Sequence, residues 1–216
     1  FPPDREIVDS ATLPAGGDSI PTQVGDRLYL AVGSALVGVR GRGGSLQHVA
    51  PVEIEERITA IVGTPSGDRF FVATDSSSII RIVNPYRDEI DGEIELPGRP
   101  IQLRMDAYGR ALIARPASGD SAWIISLASD RVLGAVRSTW RHDLPIVAPD
   151  GSILVVNGRD VVVLDGLTLD RTRSVRMGGD DFWYFFEWAG FRPRAAGIDE
   201  PVSFEGIGIP DSMTFR

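Results

Sequence analysis

The chain has 216 residues, of which 43% are hydrophobic and 24% charged, a composition typical of a globular protein with a buried core. The formal net charge of -8 argues against a nucleic-acid-binding protein, because such proteins usually carry a basic surface. All 22 basic residues are arginines and cysteine is absent, so this sequence excludes lysine and thiolate chemistry, disulfide bonds and cysteine-ligated metals.

The sequence opens on Phe1 rather than methionine, which fits a processed, exported chain and equally fits a chain with a further segment before Phe1. We therefore expect a periplasmic, envelope or secreted protein. No stretch reaches the roughly 20 apolar residues that a membrane-spanning helix needs, so we expect no span in this chain.

Residues 5–13 predict an extra strand that joins the last structural unit and closes a ring.

Four glycines recur at a spacing of 42 residues, and each precedes a short apolar run: Gly25, Gly67, Gly109 and Gly151. A period of this length is typical of a repeated supersecondary unit. Within each unit, β-branched runs alternate with turn residues, and no run keeps the 3.6-residue apolar period of a helix for long. The repeats therefore predict an all-β fold.

Each regular unit predicts four strands separated by turns rich in Pro, Gly, Asp, Asn and Ser. The second unit predicts strands at 58–63, 69–74, 78–83 and 90–96. The third predicts them at 100–105, 110–115, 122–127 and 131–136, and the fourth at 144–147, 153–157, 161–164 and 171–177. Four antiparallel strands in a unit of about 40 residues are typical of a β-propeller blade. We therefore predict a β-propeller of about four regular four-stranded blades within residues 1–179.

Residues 149–179 read PDGSILVVNGRDVVVLDGLTLDRTRSVRMGG, with a Pro-Asp-Gly turn before an apolar strand and a valine-rich strand that ends in Asp165. These features resemble the YVTN-type, WD40-like propeller repeats of bacterial surface and envelope proteins. The resemblance extends over about residues 23–179 and implies a propeller fold. It does not imply one function, because such propellers serve as binding modules, scaffolds and several unrelated enzymes.

The repeat fails after Gly179, because Pro193 stands at the next expected glycine position and an aromatic run replaces the first strand. We predict an irregular hairpin that begins a degenerate fifth blade, followed by an extended strap, in a C-terminal region of residues 180–216. The propeller is then five-bladed or incomplete, and the alternative is an open edge sealed by a partner. Because both hairpin faces are apolar, the hairpin either plugs the propeller or docks a protein or a sugar. Its candidate binding residues are Phe182, Trp183, Tyr184, Phe185, Trp188 and Phe191.

A second candidate site lies around the central channel. Propeller topology places the blade-to-blade connections on the same face as the turns between second and third strands. In this sequence those segments carry polar and aromatic side chains, which suggests a binding face: Arg115, Asp120, Trp140, Arg141, His142 and Arg159. The alternative is that these loops are merely solvated.

The sequence offers no clear catalytic or metal-binding set. The two histidines, His48 and His142, lie in different repeats, so a multi-histidine metal centre is not expected. The acidic clusters, such as the one in residues 88–95, lack a calcium-loop motif and predict solvated strand faces. No nucleophile elbow occurs. We therefore expect no catalytic residue, no metal and no cofactor.

These features favour a non-enzymatic β-propeller that acts as a scaffold or recognition module in an envelope or exported complex. We expect a protein partner or a larger assembly, and no nucleic acid. Two alternatives stay open on the sequence: a domain that binds a cell-wall glycan through exposed tryptophans, and a propeller hydrolase with its site on the central face.

Overall fold

The computed structural model describes residues 9–14, 20–24, 26–140 and 143–176. In these ranges the chain forms seventeen β-strands and no helix, as the all-β prediction requires. The strands assemble into four antiparallel sheets, and each sheet uses consecutive strands of the chain. We call these sheets blades 1 to 4.

Blade 1 contains β1 (Ile20–Val24), β2 (Arg27–Val32), β3 (Ala35–Arg42) and β4 (Ser45–His48). A short fifth strand, β5 (Val52–Glu53), also pairs with β3, which makes this the one five-stranded sheet in the described ranges. Blade 2 contains β6 (Ile58–Gly63), β7 (Phe70–Thr74), β8 (Ile79–Asn84) and β9 (Glu89–Glu95).

Blade 3 contains β10 (Pro100–Met105), β11 (Ala111–Pro116), β12 (Ser121–Ser126) and β13 (Arg131–Arg137). Blade 4 contains β14 (Ile146–Val147), β15 (Ile153–Asn157), β16 (Asp160–Leu164) and β17 (Arg171–Arg176). In blades 2 to 4 the described strand ends lie within two residues of those that the sequence predicts. The strand, turn, strand pattern of the repeat is therefore confirmed.

The recurring glycines lie in the turns between the first and second strands of a blade. Gly67, Gly109 and Gly151 have φ angles of 71°, 66° and 92°, in the left-handed region that favours glycine. Each glycine N–H donates to the carbonyl three residues earlier, at 3.0 Å in the first two turns and 2.9 Å in the third. The 42-residue spacing thus marks one backbone turn repeated in successive blades, while Gly25 lies outside the described residues.

The blades pack face to face through three apolar cores. The core between blades 1 and 2 includes Tyr29, Leu36, Phe70 and Val72. The core between blades 2 and 3 includes Phe71, Ile80, Leu112 and Trp123, and the core between blades 3 and 4 includes Ile113, Ile124, Ile153 and Val155. Neighbouring residues of a strand point to opposite faces, so Phe70 and Phe71 enter different cores. Blades 2 and 3 are therefore covered on both faces.

An ion pair links blade 1 to the turn between β8 and β9 of blade 2. Arg27 Nη1 donates to Asp88 Oδ1 at 2.7 Å, and the Tyr29 hydroxyl donates to the same oxygen at 3.0 Å. One repeat later, Arg69 Nη1 lies 3.0 Å from Asp130 Oδ1. The prediction of a solvated acidic cluster is therefore wrong for Asp88, because its left-handed turn conformation aims the carboxylate at the neighbouring blade.

The buried hydroxyl of Tyr29 makes the stability of this contact between blades 1 and 2 depend on pH. Burial raises the pKa of its hydroxyl from 10.0 to about 12, and the Asp88 carboxylate adds to the rise against the opposing hydrogen bond from Arg27. The neutral hydroxyl is favoured in the folded state, so its stabilising contribution is complete below pH 10 and is lost as the pH rises through about 12. Across this window the melting temperature of the wild type should fall more steeply than that of Tyr29→Phe, as circular dichroism melts would measure.

The control for this titration is Tyr108→Phe, since Tyr108 is 43% exposed and lies in the turn between β10 and β11 of blade 3. Its melting temperature should follow the wild-type curve. The sequence has no lysine, so no lysine side chain contributes to the pH dependence in this window. Equal slopes for the wild type and Tyr29→Phe would show that the buried hydroxyl has no such role.

The N-terminal run lies beside the first blade where it is described. Residues 9–14 form no strand, and the Asp9 carboxylate accepts a hydrogen bond of 2.7 Å from the backbone N–H of Leu46 in β4. Residues 5–8 lie outside the described residues. The strand predicted for residues 5–13 is therefore wrong at residues 9–13, which lie beside blade 1, and closure of the ring by residues 5–8 stays a prediction.

Candidate functional site

The loops of the propeller form two opposite rims. One rim holds the described connections between blades, at 49–57, 96–99, 138–140 and 143–145, together with the turns between the second and third strands of each blade. Backbone hydrogen bonds join these loops: Ala117 N donates to Arg99 O at 2.9 Å, and Ser138 N donates to Asp120 O at 3.2 Å. We call this rim the connection face.

The Arg115 guanidinium lies over the Trp140 indole on the connection face. Its Cζ is 5.9 Å from the ring centroid, which is within the range of cation–π attraction. The indole N–H of Trp140 donates to Ser121 O at 2.7 Å, so the ring is tied to β12. Both side chains are only partly buried, and they therefore present a guanidinium and an aromatic surface to solvent.

The backbone around Trp140 is strained and firmly held. Its φ of 61° is in the left-handed region, which costs a bulky residue on the order of 1 kcal/mol. The Trp140 N–H donates to the Ser138 hydroxyl at 3.1 Å, and Ser138 is itself fully buried. The Asp143 carboxylate then accepts hydrogen bonds from both the N–H and the hydroxyl of Thr139, at 2.8 to 2.9 Å. These bonds fix residues 138–140 and tie Thr139 to Asp143.

Two exposed arginines on this face were missed by the sequence reasoning. Arg57 and Arg99 occupy the same position of the repeat, each directly before the innermost strand of its blade. Arg99 Nη1 donates to Asp75 O in the preceding blade at 2.6 Å. The shared repeat position, 42 residues apart, was the signal that would have identified them.

The structure brings together three of the six central-face candidates. The Arg115 guanidinium lies over the Trp140 ring, and the backbone carbonyl of Asp120 accepts the N–H of Ser138 from the same connection. Arg159 is exposed in the β15–β16 turn of blade 4, on the same rim. Arg141 and His142 lie outside the described residues, and so do all six candidates of the aromatic hairpin. The binding role of each set stays a prediction.

Carboxylates with a lowered pKa lie on the opposite rim, in turns within the blades. Burial tends to raise the pKa of Asp68, but hydrogen bonds from the Ser66 and Thr64 hydroxyls lower it overall. Two backbone N–H groups of its own turn lower the pKa of Asp165. Carboxylates held ionised in this way stabilise their turns, and they are poor proton donors at neutral pH.

The connection face offers the chemistry of a binding surface. In the residues that the structure describes, no group of three or more His, Asp or Glu side chains is placed to hold a metal ion. The same residues include no helix long and apolar enough to cross a membrane. This face presents the Trp140 ring beside the Arg115 guanidinium, with further arginines elsewhere on the same rim, and both residue types are enriched at protein interfaces.

Comparison with known proteins bears on the fold. No family model matches this sequence, and no curated protein matches it. AztD from Citrobacter koseri superimposes with a TM-score of 0.55 and 17% identity, over 74% of this chain and 46% of that chain. BamB from Moraxella catarrhalis superimposes with a TM-score of 0.53 and 13% identity, over 77% of this chain and 50% of that chain. Hydrazine synthase from Kuenenia stuttgartiensis superimposes with a TM-score of 0.51 and 14% identity, over 71% of this chain and 47% of that chain.

The chain spans about half the length of each of these solved structures. At identities of 13 to 17%, the likeness establishes the fold alone. AztD and BamB are β-propellers, and the four consecutive antiparallel sheets described above have the same architecture. The chain adopts a β-propeller fold.

Proposed function

We propose that this protein is a non-enzymatic recognition module that binds a partner protein at its connection face. Arg115 and Trp140 form the centre of the proposed site, and Arg57, Arg99, Asp120 and Arg159 lie on the same rim. The resemblance of residues 149–179 to YVTN-type repeats supports a role in a bacterial envelope or exported complex. On this proposal the propeller is a rigid support, and the loops between blades select the partner.

The observation that carries the proposal is the strained, fixed conformation of Trp140. A left-handed tryptophan costs stability, so it persists only because the surrounding hydrogen bonds hold it. The result is an aromatic ring presented in one orientation, with a guanidinium within cation–π distance of it. Tryptophan and arginine dominate the binding energy of protein interfaces, and a ring that is ordered in advance loses little entropy on binding.

The double variant Arg115→Ala/Trp140→Ala tests this site. Used as bait in the source organism's extract, the wild type should retain a defined partner, and the double variant should retain at least about tenfold less of it, the loss typical of interface hot spots. Quantitative mass spectrometry of the retained proteins measures the difference.

The matched control is Tyr86→Ala/Arg87→Ala, which removes an exposed aromatic ring and its neighbouring arginine from the opposite rim. Circular dichroism confirms that both variants fold. The control should retain the partner at the wild-type level. Equal retention by all three proteins would place the interface elsewhere, and no retained protein with wild-type bait would contradict the proposed function.

A further inference from the structure

The sheet of blade 4 has two apolar faces. In the antiparallel register, Val147, Ile153 and Val155 point towards blade 3 and belong to the core shared with it. The residues that pair across the other face are also apolar. We call that face the end face, and it consists of Ile146, Leu154, Val156, Val161, Val163 and Val175.

The end face has the composition of a covered surface. In blade 2, β7 is buried at all five positions because a neighbouring blade packs on each side. Blade 4 has a similar two-sided apolar pattern in the sequences ILVVN and DVVVL. Val161 and Val163 are only 8% and 4% exposed, although the core shared with blade 3 includes neither. A strand apolar on both sides requires a cover on both sides.

The chain itself supplies a suitable segment directly after this sheet. β17 ends at Arg176, and residues 177–216 follow. The innermost strands of blades 2 and 3 begin at Ile58 and Pro100, and two further periods of 42 residues lead to Tyr184. The aromatic run in residues 182–188 is centred on that position. It therefore stands where the innermost strand of a fifth blade would begin.

We propose that the aromatic segment, residues 182–188, packs on the end face of blade 4 as the innermost strand of a fifth blade. Its five consecutive aromatic side chains match the large aliphatic surface of the end face. The charges of the two surfaces are also complementary. β17 carries Arg171, Arg173 and Arg176 and no acidic residue. The aromatic segment and the residues directly before it carry Asp180, Asp181 and Glu187.

The N-terminal run is a poorer candidate for this role. Asp9 is bonded to Leu46 in blade 1, at the other end of the row of blades. A second copy of the chain is the remaining alternative, and the experiments distinguish it. The aromatic segment thus acts as a plug. Its packing on the end face does not depend on binding at the connection face.

Thiol labelling measures whether the aromatic segment covers the end face. The method is specific because this sequence has no cysteine of its own that would react. In full-length Val156→Cys, maleimide labelling should accelerate by about tenfold or more when residues 182–186 are all changed to serine, since losing the cover raises exposure of the thiol. The matched control is Ile90→Cys, on the exposed outer strand β9 of blade 2, where the five serines should leave the labelling rate unchanged. An unchanged rate at position 156 would overturn the proposal, and so would protection that disappears on dilution, because it would indicate a second copy.

Disulfide trapping gives a second measurement without the serine changes. Val156→Cys is combined in turn with a single cysteine at each position from 182 to 186 and treated with a mild oxidant. At least one pair should form an intramolecular disulfide, visible as a mobility shift on a non-reducing gel, and the same five cysteines paired with Ile90→Cys should form none. Only intermolecular dimers, or no disulfide at any position, would contradict the docking.

Discussion

Replacing Phe71 with alanine should lower the free energy of unfolding by about 4 kcal/mol, the loss typical of truncating a buried phenylalanine. Phe71 is 0% exposed and lies in the core between blades 2 and 3. Phe70→Ala should cause a loss of similar size, because Phe70 is equally buried in the core on the other side of the same strand. Urea denaturation followed by circular dichroism measures both changes.

The pair of variants distinguishes a blade packed on both sides from an ordinary sheet with one wet face. The control is Leu167→Ala, because Leu167 is 74% exposed and its truncation should change stability by less than about 0.5 kcal/mol. If only one of the two phenylalanines proved costly, blade 2 would not lie between two neighbours.

Replacing Gly38 with alanine should destabilise the protein by about 3 kcal/mol, the upper end of the usual overpacking cost. Gly38 lies in β3 opposite Tyr29. A methyl group at Gly38 would stand 2.5 Å from the Leu28 carbonyl oxygen and 2.9 Å from the Tyr29 ring. The oxygen belongs to the backbone of β2, so relief requires the two strands to separate. Thermal and urea denaturation measure the loss.

Gly41 in the same strand is the matched control. The nearest atom to a methyl group there is the Asp26 carbonyl oxygen at 4.0 Å, which is ordinary contact. Gly41→Ala should therefore leave stability unchanged within about 0.5 kcal/mol. A Gly38→Ala protein as stable as Gly41→Ala would show that β2 and β3 do not pack as described.

The fold was predictable because its signals are local. The positive φ angles at Gly67, Gly109 and Gly151 need glycine, and the β-branched runs between turns need a sheet. The stacking of the blades also followed, since strands that are apolar on both faces must be covered twice. The extra pairing of β5 with β3 was not predicted, because a two-residue strand leaves no periodic pattern.

Contacts between blades were beyond the sequence reasoning. Arg27 and Asp88 are 61 residues apart, and their pairing depends on how one blade sits against the next. The acidic run that contains Asp88 reads as solvated because its neighbours are exposed on the outer strand β9. The recurrence of the pair as Arg69 and Asp130 follows the 42-residue period, so one known pair would have predicted the other.

The candidate site was predictable in part. Topology placed Arg115, Asp120 and Trp140 on one rim, and the structure joins them through one connection. The conformation of Trp140 was not predictable, because a left-handed tryptophan has no sequence signal and depends on hydrogen bonds to Ser138 and Ser121.

Photo-cross-linking at position 120 tests the proposed recognition site most directly, because it leaves Arg115 and Trp140 in place. A benzophenone amino acid replaces the exposed Asp120 of the connection face in one protein and the exposed Tyr86 of the opposite rim in another, and both are irradiated in the source organism's extract. We expect a discrete covalent adduct with one protein at position 120 and none at position 86. Adducts at position 86 alone, or no adduct at either position, would contradict a partner bound at the connection face.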